Sequence, residues 1–303
     1  MAESLVDSRV WFITGSSQGF GKALLEELLG SNERVVATLR RPEVLAPLSE
    51  KYPASQLLVL PLDVTVQEQV SAAFEATKAH FGKLDVVVNN AGFAVEGEIE
   101  SISEEDARSQ MEVLFWAPVH ITKEALKFMR DVNPPGHGGR ILNISSTFGY
   151  LGPPTLSYYA AGKFALEAFT QAFTKEVLPS WNVKAIIVEP GGFRTEWNKG
   201  SMVRAPVHPK YDASDSASVL FRKVMAAQPI GDPKKAARAF IQIADLPDPP
   251  LRIQLGSESW TMVREQALGT LRDNEKYADL AYSTNADDVD HEAVIARVKE
   301  ASA

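Results

Sequence analysis

The sequence of 303 residues contains no cysteine, which excludes a disulfide scaffold and any metal site built on thiolates. It also lacks an apolar run approaching the roughly 20 residues of a membrane-spanning helix, and its first ten residues lack the apolar core of a signal peptide. Basic residues are outnumbered, with 31 Lys and Arg against 39 Asp and Glu, which argues against a nucleic-acid surface. The five His show no ligand spacing, so we predict no metal site. We therefore expect a cytoplasmic protein without membrane or nucleic-acid partners.

Short apolar segments alternate with helical patterns along most of the chain. Continuous apolar runs of this kind are typical of parallel strands that are covered on both faces. We predict strands at residues 10–13, 34–39, 57–62, 84–88, 141–146, 183–188 and 251–255. We predict helices at 22–29, 66–81, 104–129 with a kink at Pro118, 155–178, 214–227 and 257–280. This pattern indicates a single α/β domain over 1–303, with a doubly wound, mostly parallel sheet in three layers.

The first predicted strand runs into a glycine-rich sequence, T-G-S-S-Q-G-F-G at residues 14–21, and an amphipathic helix follows. Glycines let the backbone approach a pyrophosphate, and a helix N-terminus supplies N–H groups and the positive end of a dipole. The strand, turn and helix together predict a dinucleotide-phosphate site. The spacing differs from the G-x-G-x-x-G of other dinucleotide folds. A βα turn that binds no ligand is the alternative.

Arg40 and Arg41 follow the second predicted strand. An NAD site usually carries an acidic side chain there, which accepts a hydrogen bond from the ribose 2′-hydroxyl. Two guanidinium groups instead suit the 2′-phosphate of NADP, so we predict NADP(H) as the cofactor. Two solvated arginines at a helix start are the alternative.

Four predicted strands are followed by a glycine or a polar residue, namely Gly15, Asp63, Asn90 and Ser146. Right-handed crossovers bring the carboxyl ends of parallel strands to one edge of the sheet. Open α/β sheets bind their ligands at this edge. We therefore predict that these four residues belong to one ligand site.

Tyr159 and Lys163 lie four residues apart and share one face of a predicted helix, and Ser146 ends a buried strand upstream. A neighbouring ammonium favours the phenolate and lowers a Tyr pKa that is about 10 in peptides. Such a Tyr can act as an acid or base near neutral pH, and the Ser hydroxyl can hold a carbonyl oxygen as negative charge develops on it. Taken singly, Ser146 fits a strand-end hydroxyl that satisfies a loop N–H, and Tyr159 fits an interface aromatic.

Together these motifs resemble those of the short-chain dehydrogenases/reductases, which are Rossmann-fold oxidoreductases. The resemblance covers roughly residues 8–200 and the strand at 251–255, and it rests on the sequences TGSSQGFG at 14–21, NNAG at 89–92, Ser146 with Tyr159-x-x-x-Lys163, and PGGFRT at 190–195.

The resemblance implies hydride transfer between a nicotinamide cofactor and a small-molecule carbonyl or alcohol substrate. Tyr159 would give or take the substrate proton, Lys163 would lower the Tyr pKa and bind the nicotinamide ribose, and Ser146 would orient the carbonyl. The implied cofactor-binding residues are Gly15, Ser17, Gly19, Phe20, Gly21, Arg40, Asp63, Asn90, Tyr159, Lys163, Gly191, Phe193 and Thr195.

One position departs from the family. Many members carry an Asn in the middle of the long fourth helix, where it holds a water that connects the active-site Lys to solvent. This chain has Leu114 in that register, and a leucine cannot hydrogen-bond water. The alternative function is therefore an NADP(H)-binding protein of the same fold with isomerase, lyase or cyclase chemistry, or with a sensing role. A purely structural protein would not need three aligned catalytic groups.

The segment 196–250 looks like a lid that closes over substrate, and residues 257–303 form a helical C-terminal extension. Apolar side chains in the predicted lid suit substrate contacts, namely Trp197, Met202, Val203 and Val207. Aromatic residues near predicted strand ends favour a bulky apolar substrate, namely Phe93, Phe148, Tyr150 and Phe193. Surface helices with ordinary core residues are the alternative to the lid, and a homo-oligomer is left open.

Overall fold

The computed structural model describes residues 8–197 and 200–302. Its strands are β1 (Val10–Thr14), β2 (Arg34–Leu39), β3 (Leu57–Pro61), β4 (Val86–Asn89), β5 (Ala94–Glu96), β6 (Gly139–Ile144), β7 (Val183–Pro190), β8 (Met202–Arg204) and β9 (Arg252–Leu255). Seven of them form one sheet in the order β3-β2-β1-β4-β6-β7-β9, and every neighbouring pair is parallel. β5 and β8 form a separate parallel pair. The predicted doubly wound parallel sheet is confirmed.

The helices are α1 (Gly19–Gly30), α2 (Ala46–Lys51), α3 (Gln67–Phe81), α4 (Glu104–Met111), α5 (Ala117–Asp131), α6 (Ser157–Glu176), α7 (Ala217–Met225), α8 (Pro233–Asp245), α9 (Ser257–Lys276), α10 (Ala278–Tyr282) and α11 (His291–Ser302). Alternation along β1 sends Trp11 to the face covered by α1 and α8, and Phe12 to the face covered by α3, α5 and α6. These two apolar cores account for the three layers.

The strand order changes direction between β1 and β4. The chain first extends the sheet from β1 outward to β3, and then returns to add β4 on the other side of β1. Crossover helices diverge at such a switch point and leave a crevice at the carboxyl ends of the strands, where ligands bind. The fold therefore places the glycine-rich turn after β1 and the NNAG sequence after β4 next to one another.

The helix that we predict at 104–129 with a kink at Pro118 is continuous but changes its winding. A π-helical turn at Glu112–Trp116 separates α4 from α5, and the backbone N–H of Ala117 bonds the carbonyl of Glu112, five residues back. Pro118, in the first turn of α5, has no N–H to donate. The wider π-helical turn lies immediately before the proline, which would in any case interrupt the regular series of backbone hydrogen bonds in the helix.

The chain separates into two compact units, 1–260 and 261–303, of which the structure describes 8–197 with 200–260 and 261–302. The first unit contains the whole seven-stranded sheet, and the second contains most of α9 with α10 and α11. The single domain over 1–303, the lid at 196–250 and the extension at 257–303 stay predictions. No helix in the described part of the chain has the length and apolar character needed to cross a bilayer.

Candidate active site

The glycine-rich turn after β1 is held by backbone contacts that exclude side chains. Gly15 and Gly19 have positive φ angles of 70° and 56°, a conformation that glycine adopts without strain. A Cβ on Gly21 would lie 2.3 Å from the carbonyl oxygen of Gly15. Ser16 is fully buried, and its N–H donates to the carbonyl of Thr38 on β2 over 3.1 Å. The shape of the turn therefore depends on glycine at positions 15, 19 and 21, and a backbone hydrogen bond to β2 holds it in place.

The first turn of α1 has no side-chain cap. Gln18 occupies the N-cap position in extended conformation, but its side-chain amide donates to Ser201 Oγ over 2.6 Å instead of capping the helix. The first turn carries no acidic residue either. Its backbone N–H groups are therefore suited to an anionic ligand, as at other helix N-termini that bind phosphate. Together with the glycine turn, these residues fit the pyrophosphate of a dinucleotide.

Two of the predicted cofactor residues in this region have separate roles. Ser17 is partly buried beside the turn. The ring of Phe20 packs edge-to-face on Phe193 and on Phe240, with centroid distances of 5.0 and 5.5 Å. The Phe20 side chain therefore joins α1 to α8 and to the segment after β7.

Arg40 and Arg41 lie at the carboxyl end of β2, next to the glycine turn, and both are exposed. Within 8–197 and 200–302, neither side chain has a hydrogen bond or an ion pair. Asp63 follows β3, and its carboxylate accepts hydrogen bonds from the backbone and hydroxyl of Thr65. This edge therefore offers two cationic groups and one carboxylate that is engaged in a local turn.

Asn90 connects β1 to β4. Its side-chain amide donates to the carbonyl oxygens of Thr14 over 2.8 Å and of Gly15 over 3.2 Å. Its backbone N–H donates to Thr14 Oγ1 over 3.0 Å. Asn90 thus fixes the position of the glycine turn, and its predicted place at the ligand edge agrees with the structure.

The segment after β7 lies over the glycine turn. A Cβ on Gly19 would lie 3.5 Å from Thr195 Cβ. Gly191 bonds the carbonyl of Leu255 on β9 through its N–H, and a Cβ there would lie 2.4 Å from Glu258 Oε1. Gly191, Phe193 and Thr195 are therefore brought to the same edge as the turn, and their contact with a cofactor stays a prediction.

Ser146, Tyr159 and Lys163 converge. The Ser146 hydroxyl lies beside the Tyr159 phenol and lowers the pKa of that phenol, as a hydrogen-bond donor does. Lys163 lies one helical turn after Tyr159 on α6, with its Nζ 5.9 Å from the centre of the Tyr159 ring. Within the described residues, its one hydrogen bond goes to the carbonyl of Ile144 at the end of β6, over 2.7 Å. All three side chains are buried.

Burial controls the protonation of this group. Desolvation raises the pKa of Tyr159 to about 12, although the hydrogen bond from Ser146 opposes the rise. Desolvation also lowers the pKa of Lys163 to about 8, against the opposing field of Glu167. The expectation that Lys163 lowers the Tyr pKa is therefore wrong for this structure. Removal of water disfavours the charged form of both groups, and Lys163 contributes no resolved effect on the phenol.

A buried acidic cluster adjoins the three catalytic candidates, and the sequence analysis missed it. Glu167, one turn after Lys163 on α6, accepts a hydrogen bond from Ser145 Oγ over 2.5 Å and pairs with Arg252 on β9. Arg252 also donates to Glu189 over 2.9 Å. Burial raises the pKa of Glu167 to about 7. The i, i+4 spacing of Lys163 and Glu167 on a buried face was the available signal.

Leu114 lies in the π-helical turn and is 1% exposed. Its Cδ2 would be 3.2 Å from a Cβ on Gly92, and its Cβ would be 3.0 Å from a Cβ on Gly162. Leu114 therefore fills the space between these two glycines. Of the two, Gly162 directly precedes Lys163 on α6. An apolar side chain occupies the position that carries the relay Asn in the family.

Apolar side chains pack around Tyr159. The Trp197 ring packs edge-to-face on the Tyr159 ring at 5.5 Å. The same cluster contains Met202 and Phe148, together with Phe221 and Met225 from α7. Met202 and Trp197 therefore pack around Tyr159, and their contact with a substrate stays a prediction.

Other predicted substrate contacts lie elsewhere. Val203 and Val207 are 48% and 47% exposed. Phe93 packs in a separate cluster with Val95, and Tyr150 lies against the Arg252 guanidinium. Of the four aromatics that we took to indicate a bulky substrate, only Phe148 packs in the cluster around Tyr159.

Known proteins resemble this chain in sequence and in fold. The short chain dehydrogenase family matches residues 9–227. An uncharacterized oxidoreductase of Schizosaccharomyces pombe is 40% identical over 282 residues, which cover 93% of this chain and 94% of that protein. The NADPH-dependent 3-dehydrocapnine reductase of Ornithobacterium rhinotracheale is 33% identical over 227 residues, which cover 74% and 79%. A solved short-chain dehydrogenase from Streptomyces avermitilis superposes with a TM-score of 0.83, at 32% identity, over 94% of this chain and 100% of that chain.

The chain belongs to the short-chain dehydrogenase family, and the resemblance drawn from its motifs is confirmed. Its relatives are oxidoreductases, which defines the class of enzyme. This class implies a small-molecule substrate.

Proposed function

We propose that the protein is an NADP(H)-dependent oxidoreductase that interconverts a carbonyl and an alcohol on a small apolar molecule. The observation that carries the proposal is the placement of Ser146 beside Tyr159, with Lys163 one turn away, at the sheet edge that also holds the glycine turn. A structural role for these residues does not explain three buried polar groups that converge beside an apolar cover.

In the reductive direction the cofactor supplies the hydride. Ser146 holds the carbonyl oxygen through its hydroxyl, and Tyr159 donates its phenolic proton to that oxygen as negative charge develops. A Tyr159 pKa of about 12 keeps the proton in place across the physiological range. The protein therefore starts from the proton-donating form, which favours reduction of a ketone over oxidation of an alcohol.

The preference for NADP(H) rests on Arg40 and Arg41. Both guanidinium groups are exposed and unengaged at the end of β2, where the 2′-phosphate of NADP would need cations. A relative with 33% identity is named as NADPH-dependent. Replacing both arginines by alanine is expected to raise the KM for NADPH at least tenfold and to leave the KM for NADH within about twofold.

The central experiment follows the absorbance of NADPH with a panel of apolar ketones. Tyr159→Phe is expected to lower kcat by a factor of about 10² to 10⁴, because it removes the proton donor. Tyr158→Phe is the matched control, since Tyr158 packs on a different cluster. Equal activity of the two variants would refute the assignment of Tyr159.

A second candidate function is a non-redox reaction or a sensing role that uses the bound nucleotide. Leu114 favours it, because the buried leucine removes a hydrogen-bonding group from the neighbourhood of Lys163. Binding of NADPH without oxidation in the presence of any ketone would support this alternative.

A cytoplasmic location fits the lack of cysteine, and cell fractionation tests it.

A further inference from the structure

Helix α6 is joined to the end of β6 by two neighbouring side-chain contacts. Lys163 Nζ donates to the carbonyl of Ile144, the last residue of β6, over 2.7 Å. One turn further along α6, Glu167 accepts from the hydroxyl of Ser145, the next residue of the chain, over 2.5 Å. Side chains four residues apart share one helix face, with Cβ atoms about 5–6 Å apart. The ammonium and the carboxylate therefore lie in one buried region, directly before Ser146.

The Glu167 carboxylate is also held by elements outside α6. Its Oε2 pairs with Arg252 on β9, and Arg252 in turn donates to Glu189 on β7 over 2.9 Å. A Cβ on Gly149 would strike both Glu167 Oε1 and Ser145 Oγ, so the loop after β6 closes over the carboxylate. The Glu167 side chain is 3% exposed. The negative charge is therefore fixed in place and shielded from water.

Glu167 is the one charged side chain in the described part of the chain with a resolved effect on Lys163. Burial lowers the pKa of Lys163, and the negative charge of Glu167 opposes that fall. Tyr159 is the other titratable group beside Lys163, and it is neutral because its pKa is about 12. From the remaining neighbours, Gly92 and Leu114 add no charge. Buried charges are screened little by salt, so one carboxylate has a large effect here.

The charge on Glu167 is present over the pH range in which Lys163 titrates. Burial raises the pKa of Glu167 to about 7, whereas the hydrogen bond from Ser145 and the pair with Arg252 oppose the rise, and Glu189 adds to it. Glu167 is therefore negatively charged above neutral pH. Lys163 has a pKa of about 8, so it loses its proton while the carboxylate beside it is ionised.

We propose that Glu167 is a positioning residue of the catalytic centre, whose buried negative charge keeps the Lys163 ammonium protonated beside Tyr159. The inference rests on the proposed function and extends it to a residue that touches neither substrate nor cofactor. Leu114 offers Lys163 no polar partner, so the charge of the ammonium depends on Glu167. A purely structural role, in which the pair with Arg252 only ties α6 to β9, would leave the protonation of Lys163 unchanged.

The test is the pH profile of ketone reduction in Glu167→Gln. This variant keeps an oxygen that accepts from Ser145 but removes the charge. The fall of kcat/KM at alkaline pH is expected to move to lower pH by about one pH unit. At pH 6, where Lys163 stays protonated, kcat/KM is expected to stay within about threefold of wild type. Glu176→Gln, at an exposed carboxylate at the end of the same helix, is the matched control and is expected to leave the profile unchanged.

A second variant guards against a folding defect in Glu167→Gln. Ser145→Ala removes a hydrogen bond that lowers the pKa of Glu167, so the carboxylate holds its proton to higher pH. The alkaline fall is expected to move in the same direction, by a smaller amount. A melting temperature within a few degrees of wild type shows that a variant is folded. An unshifted profile in the folded variants would overturn the inference.

NMR titration of isotope-labelled lysine gives a readout that needs no turnover. The signal missing from Lys163→Arg identifies Lys163, and its pKa is expected to fall in Glu167→Gln by as much as the pH profile moves. The same fall in a protein that reduces none of the ketones would contradict the proposed function and leave the effect of Glu167 on Lys163 standing. Identical titrations in wild type and in folded Glu167→Gln would overturn the inference.

Discussion

The nucleotide side and the substrate side of Tyr159 are built from different kinds of contact. The glycine turn is fixed by backbone bonds and by positions such as Gly21, where any side chain would strike the main chain. The cover on the other side consists of side chains from distant segments, including Trp197, Met202 and Met225. The first kind of site restricts which residues the chain can carry at fixed spacing. The second kind of site restricts only the size and polarity of each side chain, so no sequence motif marks it.

The strongest test of this contrast is a methyl group added on the nucleotide side. Gly21→Ala places a Cβ against the Gly15 carbonyl, so we expect a loss of roughly 1–3 kcal/mol in the free energy of unfolding, together with weaker NADPH binding. Gly30→Ala at the other end of α1 is the matched control, because a Cβ there meets no atom within 4 Å. Chemical denaturation and NADPH titration measure both effects. Similar values for the two variants would show that the turn tolerates side chains.

A large truncation on the substrate side is expected to act on the substrate alone. Trp197→Ala removes the ring that packs on Tyr159. We expect the KM of an apolar ketone to rise roughly tenfold, because the ketone loses part of its contact with an aromatic ring. The Kd for NADPH is expected to stay within twofold. Val203→Ala, at a half-exposed position, is the control. Parallel losses of ketone and NADPH affinity would mean that the two sides are not separable.

The pH profile tests which group limits the reaction. Lys163 is protonated below its pKa of about 8 and neutral above it, so the positive charge beside the reacting phenol is lost as pH rises. We expect kcat/KM for ketone reduction to be flat below pH 8 and to fall above it by up to about tenfold per pH unit. Tyr159 keeps its proton throughout this range. If kcat/KM began to fall only above pH 10, the loss of activity would be assigned to deprotonation of the Tyr159 phenol instead.

The smallest expected effect concerns Leu114. Leu114→Asn restores a hydrogen-bonding side chain in the π-helical turn near Lys163, and we expect a few-fold rise in the rate of carbonyl reduction. Leu114→Met, which keeps an apolar side chain of similar volume, is expected to leave the rate unchanged. Both rates are measured in variants with wild-type melting temperatures. A faster Leu114→Met variant would attribute any gain to packing and not to proton transfer.

Sequence reasoning located the parts of the molecule that depend on local order. The strands follow from continuous apolar runs, and Gly15, Asp63, Asn90 and Ser146 all fall at the predicted edge because parallel topology leaves few choices. It missed α8, although Asp232 at the N-cap and a proline at the first helical position are start signals. The start of α8 could therefore have been predicted from the sequence.

Other features could not be found without the fold. The pairing of Arg252 with Glu167 and Glu189 joins residues more than 60 positions apart. The pKa of Tyr159 depends on how completely the surrounding elements exclude water, which the spacing of Tyr159 and Lys163 does not encode.

The hydrogen bond from Gln18 to Ser201 has a consequence for the order of events in a catalytic cycle. It connects the turn that precedes α1 to the residue immediately before β8, and hence to Met202 above the phenol. A nucleotide that moved Gln18 would therefore also move Ser201 and the neighbouring Met202. By reciprocity, any factor by which the nucleotide changed ketone affinity through this bond would equal the factor by which the ketone changed nucleotide affinity.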